Sequence, residues 1–418
     1  MSKTKLKFPL WLRKVGLIFT LLGPGLITAS ADNDAPGIAT YSSSGSYYGY
    51  SFLWIIVMIT IGEVVIQEMA ARMGAVTGKG TGDLIRERFG VRTTTFAMLC
   101  LLLANLGTTV AQFAGVAAAG ELFGISRYIT VPLAGVLISL LILRGNYKSV
   151  EKALLFLCLS SLAYVLTVFI IKPDWGVILK DALTPTLKMD ATYILAVLAV
   201  IGTTITPWGI FYLQASVADR GTEMSEYNNT RLDVMFGAGW GNIISAFIII
   251  TTAATLFTRG IRVEDAKTAA MALAPLAGEF SSVLFAIGLL GASLLAISVL
   301  PLATTYAMCE AFGFERGLNR PVREAPIFYG VFGIITALSI LVVLIPGLPL
   351  FPIMILSQSL NAMLLPVLLV LVLILANDKG LMGKWKNKLT TNILAVGTTA
   401  LILVVTLILF AGQIFRFG

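Results

Sequence analysis

The chain has 418 residues, of which 57% are hydrophobic and only 12% charged, and its formal net charge is +8. A soluble domain carries about 25% charged residues, so this composition excludes a soluble globular protein and indicates a polytopic membrane protein. The chain contains no histidine, which removes the usual proton carrier at physiological pH and the commonest transition-metal ligand. We assign the positive charge to cytoplasmic loops rather than to a nucleic-acid partner.

Apolar runs of about 20 residues recur along the whole chain and predict eleven transmembrane helices. They lie roughly at 15–40, 48–73, 94–122, 128–144, 150–171, 191–217, 232–258, 277–310, 326–346, 350–376 and 391–415. With the N-terminus inside, 22 of the 30 Lys and Arg residues fall on the cytoplasmic side and the other 8 outside, as the positive-inside rule requires. We therefore expect a multi-pass protein of the cell inner membrane, embedded in the lipid bilayer, with its C-terminus outside.

Polar residues interrupt the first predicted span. Asp32, Asn33 and Asp34 stand in its middle and are followed by Pro36 and Gly37. Each intramembrane acid costs about 2.5–3.5 kcal/mol at a helix centre, so such acids usually mark an ion or substrate path. Proline removes a donor and glycine loosens the backbone, so the helix is expected to unwind and free its carbonyl groups. Carboxylates and free carbonyls at this depth predict a cation site.

The two aspartates are not equal candidates. On an intact helix residues 32 and 34 point about 200° apart, so both can face one ion only if the helix unwinds early. Asp34 is therefore predicted to be the principal ligand and Asp32 the second carboxylate.

The sixth predicted span is also interrupted. Thr203, Thr204, Thr206 and Pro207 break an otherwise apolar helix. Interruptions at matching positions, five spans apart, point to an inverted-repeat transporter with its site at the membrane midplane. The alternative is a simple proline kink in each helix.

The third predicted span has no acid or base between Arg92 and Glu121. Its polar residues follow the i, i+3, i+4, i+7 spacing of one helical face and are Asn105, Thr108, Thr109 and Gln112. They either line a water-filled path or hydrogen-bond a neighbouring helix. Neither alternative makes a proton relay.

Three other polar residues lie within predicted spans. Glu68 is expected to pair with Arg72 at i+4, whereas the deeper Glu63 is either structural or an ion-path group. In the tenth span, Gln358 either reaches a site between the first and sixth spans or hydrogen-bonds a neighbouring helix.

Several separated motifs resemble the Nramp family of divalent-metal transporters. They are GPG at 23–25 with an aspartate nine positions on, YGYSFLW at 48–54, MAARMGAVTGKGTGDLIRERFG at 69–90, SQSLNAMLLP at 357–366 and LMGKWKNK at 381–388. The resemblance covers nearly the whole chain. It implies an all-α fold with a five-plus-five inverted repeat (LeuT-like), broken helices 1 and 6, and alternating access. We expect a single domain over 1–418, with repeats at about 15–171 and 191–376 and an extra helix at about 391–415.

The chain departs from the family pattern at the site. In the family motif Asp-Pro-Gly-Asn both Asp and Asn bind metal; here Asp34 takes the first place and Gly37 falls where the Asn would be. Thr203 and Thr206 stand where typical members supply an alanine carbonyl and a methionine thioether. The family's acidic pair on the third span aligns with uncharged residues near Thr109 and Gln112. The histidines of the sixth span have no counterpart.

These departures predict an all-oxygen site. A thioether selects soft metals, whereas Mg²⁺ prefers oxygen ligands and keeps part of its hydration shell. The sequence resembles the magnesium-transporting branch of the family, although a plant branch that carries aluminium also lacks the methionine. We expect a transporter of hydrated Mg²⁺, and also of Mn²⁺, without proton coupling. The predicted site residues are Asp34, Gly37, Thr203, Thr206, Asp32 and Gln358.

The sequence favours other functions less than it favours Mg²⁺ transport. A proton-coupled Mn²⁺ or Fe²⁺ importer with an altered binding shell is the alternative. A transporter of organic solutes would place Asp34 beside the substrate's carboxylate, which is unfavourable, and a membrane scaffold gives no reason to bury that residue. An enzyme needs a nucleophile–base or metal–water constellation, and the chain offers none. No bound cofactor is expected, and the oligomeric state is not predicted.

Overall fold

The computed structural model describes residues 33–143, 159–222, 224–225, 227–318 and 320–415. Within these ranges every regular element is a helix. The first part of the predicted first span, including Asp32, lies outside the described residues.

Long apolar helices make up most of the structure, and proline or glycine stands at many of their ends. The longer ones are α1 (Ala35–Tyr48), α2 (Leu53–Thr77), α3 (Thr81–Leu122), α4 (Arg127–Leu143), α5 (Leu162–Ile171), α6 (Trp175–Leu183), α7 (Ala191–Thr204), α8 (Pro207–Asp219), α9 (Tyr227–Thr255), α10 (Ser281–Phe312), α11 (Pro326–Val343), α12 (Leu350–Asn377) and α13 (Leu389–Phe415).

The predicted spans all have counterparts among these helices. Eight helical stretches of the described chain are long and apolar enough to cross a membrane, and two shorter apolar helices end at Leu143 and Ile171. One of the eight stretches combines α1, which represents the first predicted span, with α2. The prediction of an all-α polytopic membrane protein is confirmed.

The third span begins earlier than predicted. Its helix starts at Thr81 rather than near residue 94, and it kinks at Gly90, where φ is +74°. Arginines at 86, 88 and 92 made this segment look like a loop. The helix instead continues beyond the apolar region, and glycine permits the positive φ at the kink.

Helix α3 lies at the centre of the bundle and packs against α10 and α12. Small residues allow this close packing. A Cβ atom placed on Gly115 would lie 2.4 Å from the Cβ of Ala35 and 2.5 Å from the Oγ of Ser293. The start of α1 is therefore held directly against α3, one turn from Gln112.

The N-terminal end of α3 is tied to its neighbours. Gln214 of α8 accepts a hydrogen bond from the Thr81 hydroxyl at 2.6 Å and donates one to the Lys79 carbonyl at 3.0 Å.

Within α2, the predicted pair of Glu68 and Arg72 is confirmed, with a distance of 3.4 Å between carboxylate and guanidinium.

Candidate functional site

The first helix break places a carboxylate at a helix N-terminus. Asp34 is extended (φ −72°, ψ 179°) and caps α1, and its Oδ1 accepts a hydrogen bond from the Gly37 N–H at 2.8 Å. Aspartate is a favoured N-cap, and the positive end of the helix dipole stabilises its negative charge. Asp34 is only 2% exposed. Gly37 thus contributes its backbone N–H to Asp34, which orients the carboxylate.

The second break separates α7 from α8. Ile205 and Thr206 are both extended, and α8 begins at Pro207. Because proline has no N–H, the carbonyl of Thr203 cannot form the usual helical hydrogen bond. The hydroxyl of Thr203 is buried without a partner among the described residues. Thr206 precedes α8, and its side chain makes no capping bond to that helix. This break therefore offers oxygen ligands within the bundle.

Two contacts connect the broken helices to each other and to α12. The hydroxyl groups of Tyr41 in α1 and Thr204 in α7 lie 3.0 Å apart. Gly202 approaches α12 so closely that a Cβ atom there would lie 1.9 Å from the carbonyl oxygen of Gln358. The structure thus brings α1, α7 and the backbone of Gln358 together.

The polar face of α3 makes hydrogen bonds to neighbouring helices, one of the two alternatives left open by the sequence. Asn105 donates to Thr304 of α10 at 2.7 Å, and Thr109 donates to the Asn105 carbonyl. Thr108 accepts a hydrogen bond from Asn361 of α12 at 2.8 Å. Gln112 differs from these three because its Nε2 donates to Oδ2 of Asp34. Sequence reasoning omitted Gln112 from the site, although its place on this face was a usable signal.

The side chain of Gln358 belongs to a hydrogen-bonded chain between helices. Its Nε2 donates to the Ser357 hydroxyl at 2.9 Å, and its Oε1 accepts from Asn361 at 3.0 Å. Both partners lie in α12, and only Asn361 continues the chain to Thr108 of α3, so both alternatives for Gln358 remain open. Its role as a cation ligand stays a prediction, as do those of Asp34, Gly37, Thr203 and Thr206. Asp32, the predicted second carboxylate, falls in the part of the chain that is not described.

A second buried carboxylate lies between α2 and α9. Glu63 is 1% exposed. Its Oε1 accepts from Gln67 at 2.6 Å, and its Oε2 accepts from Asn242. Asn33, which directly precedes Asp34, donates to the carbonyl of the neighbouring Gly241 at 3.0 Å. Glu63 is therefore engaged by amide groups, which favours the structural alternative for this residue.

A large cavity lies at the C-terminal end of α3. It has a volume of about 940 Å³, and its lining includes the acidic residues Glu121, Glu264 and Asp265. Its lining also includes Ser43 of α1 and Ser359 of α12. The cavity therefore lies between α1 and α12 at this end of the bundle.

Among the described residues, the two breaks together provide one carboxylate, that of Asp34, and several neutral oxygens. Within the described ranges, no group of three His, Cys, Asp or Glu side chains could hold a metal ion. One carboxylate with hydroxyl, carbonyl and amide oxygens suits a hard cation that keeps some of its water.

Comparisons with known proteins agree with this architecture. The family model described as "Natural resistance-associated macrophage protein-like" matches residues 25–412. The chain is 29% identical over 378 residues to the "Divalent metal cation transporter MntH" of Erwinia tasmaniensis, covering 88% of each protein.

Two solved structures show the same fold. A manganese transporter from Eremococcus coleocola superposes with a TM-score of 0.75 at 21% identity, covering 99% of this chain and 91% of that one. Mhp1, a nucleobase-cation-symport-1 family transporter, gives a TM-score of 0.56 at 14% identity, covering 95% and 93%. The predicted LeuT-like fold with two broken helices is confirmed.

Proposed function

Since the chain belongs to the Nramp family, we propose that it is a secondary transporter of divalent metal cations that works by alternating access. Its cargo is hydrated Mg²⁺ and also Mn²⁺. It performs no enzymatic reaction, and the metal is its substrate.

The observation that carries the proposal is the buried carboxylate of Asp34 at the first helix break. A buried charge is costly unless it is compensated. Here two N–H groups, from Gly37 and Gln112, hold it in place. A divalent cation would complete the compensation, with Thr203, Thr206 and the carbonyl groups of the breaks as further oxygen ligands.

The hydroxyl groups at 203 and 206 favour Mg²⁺. Oxygen ligands with room for water match the octahedral, reluctantly dehydrated Mg²⁺ ion. Mn²⁺ accepts the same ligands and is therefore a second substrate. The transporter from Eremococcus coleocola is named for manganese, which is the specific reason to keep a proton-coupled Mn²⁺ importer as the alternative.

We further propose transport without proton coupling, in the orientation that the positive-inside rule gives. Helix α3 has no Asp, Glu, Lys or Arg side chain between Arg92 and Glu121, and the chain has no histidine. The N-terminus would face the cytoplasm, so the cavity at the C-terminal end of α3 would open to the outside.

Uptake of Mg²⁺ and of Mn²⁺ by proteoliposomes, with internal pH recorded, tests the proposal. The wild type is expected to take up both ions without acidifying the lumen. Asp34→Asn is expected to lose at least about tenfold in uptake, because it removes the charge of the principal predicted ligand. Elution profile and unfolding temperature check that the variant is folded. Unchanged uptake by Asp34→Asn would overturn the site. Acidification at a fixed metal-to-proton ratio, with Mn²⁺ uptake insensitive to millimolar Mg²⁺, would establish the alternative.

A further inference from the structure

One side chain outside the predicted ligand set touches Asp34 directly. Gln112 is fully buried in α3, and its Nε2 donates to Oδ2 of Asp34. The nitrogen must face the carboxylate, because an ionised carboxylate only accepts hydrogen bonds. Gln112 and Asp34 are 78 residues apart in sequence, so their contact depends on how α3 packs against the start of α1 and not on local helix geometry.

The other end of the same amide is unsatisfied. Oε1 of Gln112 is buried and has no hydrogen-bond partner among the residues that the structure describes. Leaving such a buried acceptor without a partner is destabilising, and in native proteins it calls for a specific reason. An amide oxygen is also a hard ligand of the kind that Mg²⁺ accepts, directly or through a bound water.

We propose that Gln112 is a specificity-determining residue that holds Asp34 in the cation-free site and then turns its amide, so that Oε1 faces the arriving cation or its bound water. A cation and an N–H group compete for Oδ2 of Asp34. The terminal torsion of glutamine is soft and roughly two-fold, so the amide can exchange its nitrogen for its oxygen without any change of charge. The backbone N–H of Gly37 cannot do this. The proposal rests on the proposed function, in which Asp34 binds the transported ion.

Cation binding by the purified protein tests this role without requiring transport. Calorimetric titration with MgCl₂ and with MnCl₂ compares the wild type with Gln112→Met, which keeps the side-chain volume but removes both polar atoms. We expect Gln112→Met to raise the Kd for Mg²⁺ about tenfold, or about 1.4 kcal/mol. The Kd for Mn²⁺ should rise about threefold, since Mn²⁺ depends less on a hard oxygen shell.

Two further variants distinguish a role of Gln112 as an oxygen ligand from a general effect of replacing a buried glutamine. Gln112→Glu keeps an oxygen and adds a charge, so its Kd values are expected at or below those of the wild type. Gln67→Met is a matched control, because Gln67 is also buried, also donates to a carboxylate (Glu63), and also has an unpartnered Oε1 among the described residues. Its Kd values should equal those of the wild type.

The possible failures are distinguishable. Kd values of Gln112→Met within twofold of wild type for both ions would overturn the role of Gln112 and leave the proposed function intact. The role of Gln112 as an oxygen ligand would also be overturned if Gln112→Glu raised the Kd values as much as Gln112→Met does. In that case only the loss of the N–H donor to Asp34 would matter. If Gln112→Met does not fold, the titration of Gln112→Glu still tests the proposal. Kd values at or below those of the wild type support it, and clearly higher Kd values contradict it. A wild type that binds neither ion would overturn the proposed function and this proposal with it.

Discussion

At the scale of single residues, Thr206 is the side chain that should discriminate between Mg²⁺ and softer ions such as Mn²⁺. It is extended, 6% exposed, and makes no capping bond to α8, so its hydroxyl is not committed to the helix it precedes. A hydroxyl oxygen is a hard ligand, whereas a thioether is soft. The identity of this side chain should therefore decide which ions compete well for the site.

Thr206→Met is expected to shift the ion preference from Mg²⁺ toward Mn²⁺ and Cd²⁺. Mg²⁺ uptake should fall about tenfold, because a water-keeping ion loses an oxygen contact, while uptake of Mn²⁺ and Cd²⁺ is retained or rises. The measurement is competition among the three ions in proteoliposome uptake. Thr206→Ser keeps the hydroxyl and should behave like the wild type. An equal loss for all three ions in Thr206→Met would show that the residue supports folding rather than selectivity.

Individual residues also show what the sequence could and could not predict. The sequence predicts the helix breaks at Asp34 and Pro207, because acids and prolines in apolar runs are local signals. The contact from Gln112 to Asp34 was missed because the rotation of one helix against another depends on packing, here at Gly115 and Ala35. For the same reason, the sequence could not tell which way the side chain of Gln358 would turn.

At the scale of elements, the close approach of α7 to α12 fixes the second break. A Cβ atom on Gly202 would lie 1.9 Å from the carbonyl oxygen of Gln358 and 2.8 Å from the backbone nitrogen of Ala362. Both neighbours are backbone atoms, so neither can turn away as a side chain would.

Gly202→Ala is therefore expected to lower the free energy of unfolding by about 1–3 kcal/mol, the usual cost of overpacking, although alanine favours helix. Thermal unfolding in detergent measures it. Gly239→Ala in α9 is the matched control, because nothing lies within 4 Å of a Cβ atom at that position; it should be neutral or slightly stabilising. Equal behaviour of the two variants would contradict the close packing of α7 on α12.

The start of α7 depends on a charged cap. Asp190 accepts hydrogen bonds from the Thr192 hydroxyl at 2.5 Å and from the Tyr193 N–H at 2.8 Å. These bonds hold the pKa of Asp190 below its ordinary value. A lowered pKa means that the stabilisation is complete above the unfolded-state pKa of about 4 and is lost as the pH falls through the folded-state value.

Asp190→Ala is expected to cost about 1 kcal/mol at pH 6, a typical value for an N-cap. The difference in unfolding temperature between this variant and the wild type should shrink toward pH 3, as the wild-type carboxylate is protonated. Asp190→Asn retains a capping oxygen and should show a small difference that does not vary with pH. A deficit of Asp190→Ala that stays constant from pH 6 to pH 3 would contradict the role of the charge.

At the scale of the whole molecule, the alternating access that we propose would require the N-terminal end of α3 to separate from its neighbours. The loop before α3 is held from two sides, by Gln214 of α8 and by Glu310 of α10. A Cβ atom on Gly80 would lie 1.9 Å from Oε2 of Glu310, which is 4% exposed. Arg316 pairs with Glu310 at 3.6 Å and with Asp83 at 3.4 Å. We expect these contacts to act as a latch that opens and closes during the proposed transport cycle.

Gly80→Ala should weaken this latch, because the added methyl displaces the Glu310 carboxylate from its partners. Cys309 adjoins Glu310 and is completely buried, so its reaction with a membrane-permeant thiol reagent reports opening. In a background with Cys100 and Cys158 replaced by alanine, we expect Gly80→Ala to accelerate the labelling of Cys309 about tenfold.

A double-mutant cycle with Glu310→Ala identifies the cause of that acceleration. If the methyl acts by displacing the carboxylate, Gly80→Ala should add nothing once Glu310 is truncated, because interacting residues are not additive. Acceleration of the same size in both backgrounds would instead place its cause in the loop backbone and remove Glu310 from the latch. Gly239→Ala should leave labelling unchanged in either background. Since the latch lies at the opposite end of α3 from the large cavity, a weakened latch should also lower the rate of metal uptake without changing the Kd at Asp34.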